Sequence, residues 1–381
     1  MNNIERINVL YPEQTGDSES EKIWLKAENF IQNNPVEFSE DEESQLMDSY
    51  SQLESQGLNG VVHIIHQGSA TGEMVARELP SSFKEKYYHR LHIIKAENRE
   101  SQSGFVREGD TVVYISQDGS IDKENKEMLE DTLKDRVGII SGGGDGSPKD
   151  RIYIPLLNAL EREIESNTPS AGICLGHQLY GELILSMRNK ATEGTMPGYL
   201  EGVTSMERIT NNGKENPIFS RLGERVNIVS LNMFHLVMPK GTESGQDVFP
   251  HGKVLTRSEA TEYPTSLELR GVEEGQIITT QRHPEVGMWG FGEDVIFKDE
   301  IINLPSGSKL VVPAGSHPDM IKFAKYFTPK PILEFLGQKY GITEEDIQNM
   351  FVKERMTKHL GKDFYGPMLN YLADYRFKFN K

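Results

Sequence analysis

From about residue 60 the chain alternates short apolar runs with longer stretches of helical spacing. Val61-Val62-His63-Ile64-Ile65, Thr111-Val112-Val113-Tyr114-Ile115, Val137-Gly138-Ile139-Ile140 and Ala171-Gly172-Ile173-Cys174 are each four or five residues long; the first three are rich in β-branched side chains and followed by turn residues, and the fourth opens into a helical stretch. Such runs read as strands buried on both faces. Between and after them, Leu156, Leu157, Leu160 and Ile164, then Leu179, Leu183 and Ile184, recur at helical spacing. Strand–helix alternation requires crossover connections, so the pattern predicts an α/β fold with a mostly parallel central sheet flanked by helices. Later runs, Arg225–Val229, Thr265–Leu269 and Gln276–Thr280, are separated by short turn-rich stretches and read as antiparallel.

The flanks differ in texture. Residues 1–58 are polar and acidic, and Ser39 followed by Glu40, Asp41, Glu42 and Glu43 has the form of a capped helix start. Beyond about residue 296 the pattern is largely helical. Pro331–Lys339 is one candidate and a segment opening at Thr343 a second. Pro367–Phe377 is a third, with its proline at the tolerant first turn. The expected organisation is an N-terminal extension over 1–58, a central domain over 59–296 and a mainly helical C-terminal extension over 297–381.

Composition narrows the function. The 381 residues carry 58 acidic and 41 basic side chains, a net charge of −17. That disfavours nucleic-acid binding, which needs concentrated Lys and Arg. The first residues, MNNIERINVL, lack the basic start and apolar run of a secretory signal, and no segment has the roughly 18 apolar residues of a membrane span. A cytoplasmic protein is expected, with no nucleic-acid or membrane partner. One cysteine, Cys174, excludes an internal disulfide and a cysteine-built zinc site. By residue type alone it is either a buried filler or a reactive thiol.

Its neighbours favour the thiol. Gly172-Ile173-Cys174-Leu175-Gly176-His177-Gln178 takes a strand into a helix through a cysteine between glycines, the form of a nucleophile elbow. The helix N-terminus favours thiolate, and the Leu175 N–H points towards the same spot. A cysteine nucleophile needs a base, and Gln281-Arg282-His283-Pro284-Glu285 offers one. His283 and Glu285 stand two residues apart, on one side of an extended chain, with Pro284 stiffening the pair. Ser141-Gly142-Gly143-Gly144-Asp145-Gly146 follows a strand and exposes N–H groups suited to an anion or oxyanion. It lacks the Lys-Ser/Thr ending of a phosphate-binding loop.

Together these segments resemble the class I glutamine amidotransferases. GICLGHQ is similar to that family's nucleophile motif, QRHPE to its His-Pro-Glu motif and IISGGGDGS to its glycine loop, in the family's order and spacing over roughly residues 60–290. Asn216-Pro217-Ile218-Phe219 and Phe234-His235 resemble the stretch between cysteine and histidine. The resemblance implies a flavodoxin-like fold and a catalytic triad of Cys174, His283 and Glu285. It also implies an oxyanion hole at the N–H groups of Gly143 and Leu175, and Gln178 at the substrate's amino-acid end. Glutamine would be hydrolysed through a γ-glutamyl thioester with no metal or organic cofactor, and ammonia would pass to a partner synthetase. Gly144 stands where the family has proline, Arg282 replaces an aromatic, and the neighbours of His235 match poorly. Two alternatives stay open: a γ-glutamyl hydrolase or peptidase using the same triad, and an amidotransferase-like binding protein without turnover.

Overall fold

The computed structural model describes residues 38–66, 78–98, 106–144, 147–188, 195–197, 204–229, 234–236, 246–259, 262–284, 296–314 and 361–379, with isolated positions between them. Two compact units divide the chain. The larger comprises 36–286 with 360–381; the smaller includes 287–359.

In the larger unit, helix α1 (Glu40–Ser55) begins as the sequence predicts. The Ser39 side chain accepts from Glu42 N–H while the Glu42 carboxylate accepts from Ser39 N–H, a reciprocal capping box. Strand β1 (Asn59–His66), helix α2 (Ser81–Tyr87) and strands β2 (Tyr88–Lys95) and β3 (Thr111–Ile115) follow. Next come α3 (Lys123–Leu133), β4 (Arg136–Ser141), α4 (Ile154–Glu165), β5 (Ser170–Ile173) and α5 (Leu175–Arg188). A short β6 (Thr195–Pro197), β7 (Thr204–Ile209), α6 (Asn211–Glu215), β8 (Arg225–Val229), β9 (Phe234–Leu236), β10 (Val248–Phe249), β11 (Gly252–Ser258), β12 (Pro264–Leu269) and β13 (Ile277–Thr280) complete the strand-rich part. The smaller unit contributes the antiparallel hairpin β14 (Glu300–Asn303) and β15 (Lys309–Val312). Helix α7 (Gly361–Phe379) returns to the larger unit.

One sheet organises that unit, in the order β3-β2-β1-β4-β5-β13-β12-β11-β7-β8, with β10 on β11. From β3 to β13 every pairing is parallel; from β13 to β8 every pairing is antiparallel. The mostly parallel sheet flanked by helices is therefore the predicted one. Strand residues alternate between two cores. Val62, Ile64, Ile139 and Ile277 pack with the leucines of α3, α4 and α5. Val61, Val137, Ile140 and Ile278 pack with α1, α2 and α7.

The ends of this unit belong to its core. Leu46, Tyr50 and Leu53 of α1 and Met368, Leu369 and Leu372 of α7 are buried on the second face, and the Tyr50 hydroxyl donates to Leu369 O at 3.1 Å. Residues 36–58 and 360–381 thus lie in the same compact unit as the sheet, where sequence texture had separated them as extensions. An acidic average hides an apolar stripe that recurs only every third or fourth residue. Helix α7 also differs from its expected start. It begins at Gly361, so Pro367 lies inside it. The backbone bond lost to proline falls at Asp363, an exposed residue whose carbonyl water can serve, and the apolar side chains on either side hold the helix together. The expected helices at 331–339 and from 343 lie mostly outside the described residues.

Candidate active site

Three neighbouring parallel strands, β4, β5 and β13, end at one edge of the sheet, and each runs into a segment that the sequence marks. Ligands of open α/β sheets gather at such carboxyl ends. Strand β5 runs into Cys174, whose φ of +52° lies in the left-handed region that L-residues with a Cβ seldom occupy. The next residue already starts α5, and Gln178 N–H donates to Cys174 O at 3.1 Å. The thiol thus projects from a forced turn between strand and helix, the geometry expected of an elbow.

Packing explains the flanking glycine. A Cβ on Gly176 would lie 2.0 Å from Ser141 O, and Gly176 N–H donates to Gly142 O at 3.1 Å. The glycine loop therefore lies directly on the first turn of α5, held from its other side by Gly142 N–H donating to Ile64 O at 3.0 Å. Gly143 and Leu175 are both buried at this junction. The N–H groups on either side of Leu175's, those of Cys174 and Gly176, are spent on Thr280 O and Gly142 O. Neither is available to an incoming oxygen. Gly144 has its own constraint, since a Cβ there would sit 2.5 Å from Cβ of His66.

His66 went unmarked in the sequence. It ends β1, its Nε2 lies 3.1 Å from Ser141 Oγ, and its ring meets Tyr153 edge-on. Burial lowers its pKa from 6.5 to about 3, so it is a neutral imidazole beneath the glycine loop.

The third segment follows β13. Cys174 N–H donates to Thr280 O at 2.8 Å, which sets the elbow level with the end of that strand. Gln281, Arg282, His283 and Pro284 come next, all buried. The structure thus brings Cys174, the glycine loop and the segment leading to His283 to the same edge; Glu285 lies outside the described residues. Gln178 is buried on α5, and its Nε2 donates to Gln281 Oε1 at 3.2 Å, a link between the helix behind the thiol and the strand before the imidazole. His177, which shares the cysteine motif, pairs its Nδ1 with Thr279 Oγ1 at 2.9 Å and fastens α5 to β13. Arg282, which stands where the family has an aromatic, is buried. Its Nε donates at 2.6 Å to Glu207 Oε1 on β7, in an ion pair that is almost wholly buried. The resemblance at 216–219 marks packing: Asn216 Oδ1 accepts from Ile218 N–H, and Phe219 meets Phe364 of α7 edge-on. His235 has its backbone in β9, paired with β6 and not with the main sheet.

The glutamine amidotransferase class-I family model matches residues 111–303, half of the chain and the whole stretch that carries these segments. The chain belongs to the class I glutamine amidotransferase family. No curated protein sequence matches this amidotransferase-family chain. Among solved structures it is similar to SMU.1228c, at 14% identity over 82% of this chain and 98% of that one, with a TM-score of 0.42. It is also similar to the glutaminase domain of Trypanosoma brucei CTPS solved with bound acivicin, at 12% identity over 52% and 87% of the two chains, with a TM-score of 0.37. In this family member no helix among the described residues is long and apolar enough to cross a membrane.

Proposed function

We propose that the protein hydrolyses the side-chain amide of glutamine and passes the ammonia to a partner synthetase in the cytoplasm. The observation that carries this reading is the left-handed backbone of Cys174 at a strand–helix elbow, level with the strand that leads into His283. Cys174 Sγ attacks the amide carbon while His283 takes the thiol proton. The N–H groups of Gly143 and Leu175 receive the oxyanion. His283 then protonates the leaving nitrogen as the C–N bond breaks, releasing ammonia and leaving a γ-glutamyl thioester. Water, deprotonated by the same imidazole, attacks the thioester; glutamate departs and the thiol regains its proton. Glu285 orients His283, and Gln178 meets the amino-acid end of the substrate.

The test is incubation with glutamine and with a panel of γ-glutamyl amides, following ammonia and glutamate. Ammonia from glutamine that disappears in a folded Cys174→Ala variant is the expected result. Cleavage of γ-glutamyl conjugates with glutamine left untouched would move the activity to a γ-glutamyl hydrolase. Ammonia release at the parent rate by Cys174→Ala would remove the reading.

A further inference from the structure

The residue before His283 is fixed by an unusual set of bonds. Arg282 Nε donates to Glu207 Oε1 at 2.6 Å, with both side chains nearly inaccessible to water. The other oxygen of Glu207 accepts from the Thr265 hydroxyl. Thr265 Oγ1 lies 2.8 Å from Thr256 Oγ1, which lies 2.7 Å from Ser266 Oγ, and that oxygen lies 3.0 Å from Thr280 Oγ1. The ring closes where Arg282 N–H donates to Thr280 Oγ1 at 3.2 Å. Each hydroxyl has one proton, and an ionised carboxylate only accepts. The Thr265 hydroxyl therefore donates to Glu207, while that of Thr256 donates to Ser266, whose own hydroxyl donates to Thr280, and Thr256 and Thr265 meet oxygen to oxygen between the two runs. Thr280 Oγ1 thus accepts twice, from Ser266 and from the Arg282 backbone.

We propose that this closed ring is a positioning device that aims His283 at Cys174. It grips residue 282 twice, at its backbone nitrogen and at the tip of its side chain, and it ties that residue to β7, β12 and β11. Gln281 is held separately, by its N–H to Thr265 O at 2.7 Å and by the amide of Gln178. The segment that leads from the sheet to the imidazole is thus pinned at two consecutive residues. Stability alone explains the ion pair poorly, because removing two charges from water costs about as much as their attraction returns, and a well-packed apolar pair does as well. Directional bonds, by contrast, fix an orientation that apolar contacts leave loose. The inference rests on the proposed Cys174–His283 pair.

The experiment exploits the single cysteine. Alkylation of Cys174 by iodoacetamide at pH 7 is measured beside the kcat and KM for glutamine in the parent, His283→Ala, Glu207→Leu/Arg282→Met and Thr280→Val. If the ring positions the imidazole, the apolar double variant keeps the parent Tm but loses about ten-fold or more in kcat and in alkylation rate, with KM unchanged. Thr280→Val, which removes the two links of that hydroxyl but leaves the ion pair, loses less than the double variant in both rates. Should the double variant not fold, a fall of both rates in a folded Thr280→Val variant supports the ring. Parent rates in the folded double variant, or in Thr280→Val if that alone folds, would overturn it. If His283→Ala alkylates as the parent does, the Cys174–His283 pair itself is wrong, and the positioning role falls with it.

Discussion

A φ of +52° at Cys174 costs free energy that the surrounding contacts must supply, and Gly176 is where that support is most exposed to mutation. Its missing side chain lets Ser141 O approach to where a Cβ would be 2.0 Å away, against backbone that cannot swing aside. Gly176→Ala should therefore destabilise the protein by about 3 kcal/mol and displace the elbow from the glycine loop. A urea midpoint at the parent value would contradict this. Within the proposed triad, His283→Ala should depress glutamine hydrolysis at least about ten-fold more than Glu285→Gln, because a base matters more than the group that orients it. Steady-state rates in the reverse order would count against those roles. At this scale the sequence was informative in an uneven way. The elbow could be read from Gly172 to Gln178 because strand, glycine and helix start are local signals. The partner of Arg282 could not. Glu207 lies 75 residues earlier, and only the sheet order brings β7 near the end of β13.

Among elements, the parallel strands announce themselves by continuous apolar runs, and β1, β3, β4 and β5 fall where those runs stand. Strand β2 is hard to read because Tyr88, His89 and Arg90 at its start are polar and only Leu91 to Ile94 are fully buried. Strands β7 and β11 were missed for a related reason. Glu207, Thr256 and Arg257 carry polar side chains into the interior and break the apolar signal. Helix α7 shows how tertiary packing overrides a local rule, since a proline at its seventh position has not ended it. Leu372 is completely buried between that helix and the sheet. Leu372→Ala should cost about 2–5 kcal/mol, read from chemical denaturation. Loss below about 1 kcal/mol would mean that α7 adds little to the second core.

Across the whole molecule, two histidines that play no part in the proposed chemistry should make the fold sensitive to acid. His63 and His66 are buried on β1, and each is lowered from 6.5 to about 3. Burial is the main cause for both, with electrostatic repulsion from His66, Arg90 and His92 adding to it for His63. Between those values the unfolded chain binds more protons than the folded one, so stability falls as pH drops from about 6.5 towards 3. At pH 5 each histidine should cost about 2 kcal/mol relative to neutral pH. Urea titrations at pH 7 and 5 check this, and His66→Asn should flatten the difference. An equal loss in the variant would assign the acid sensitivity elsewhere.

The bond from Tyr50 to Leu369 joins residues 319 apart in sequence. During synthesis at the ribosome, β1 and β4 emerge long before the helix that covers them. One face of the sheet waits covered only in part, by α1 and α2, through the making of residues 287–359. A nascent chain of this protein therefore depends on whatever shields that surface in the interval, and premature termination after β13 but before residue 361 yields a product whose sheet is complete but whose second core cannot close.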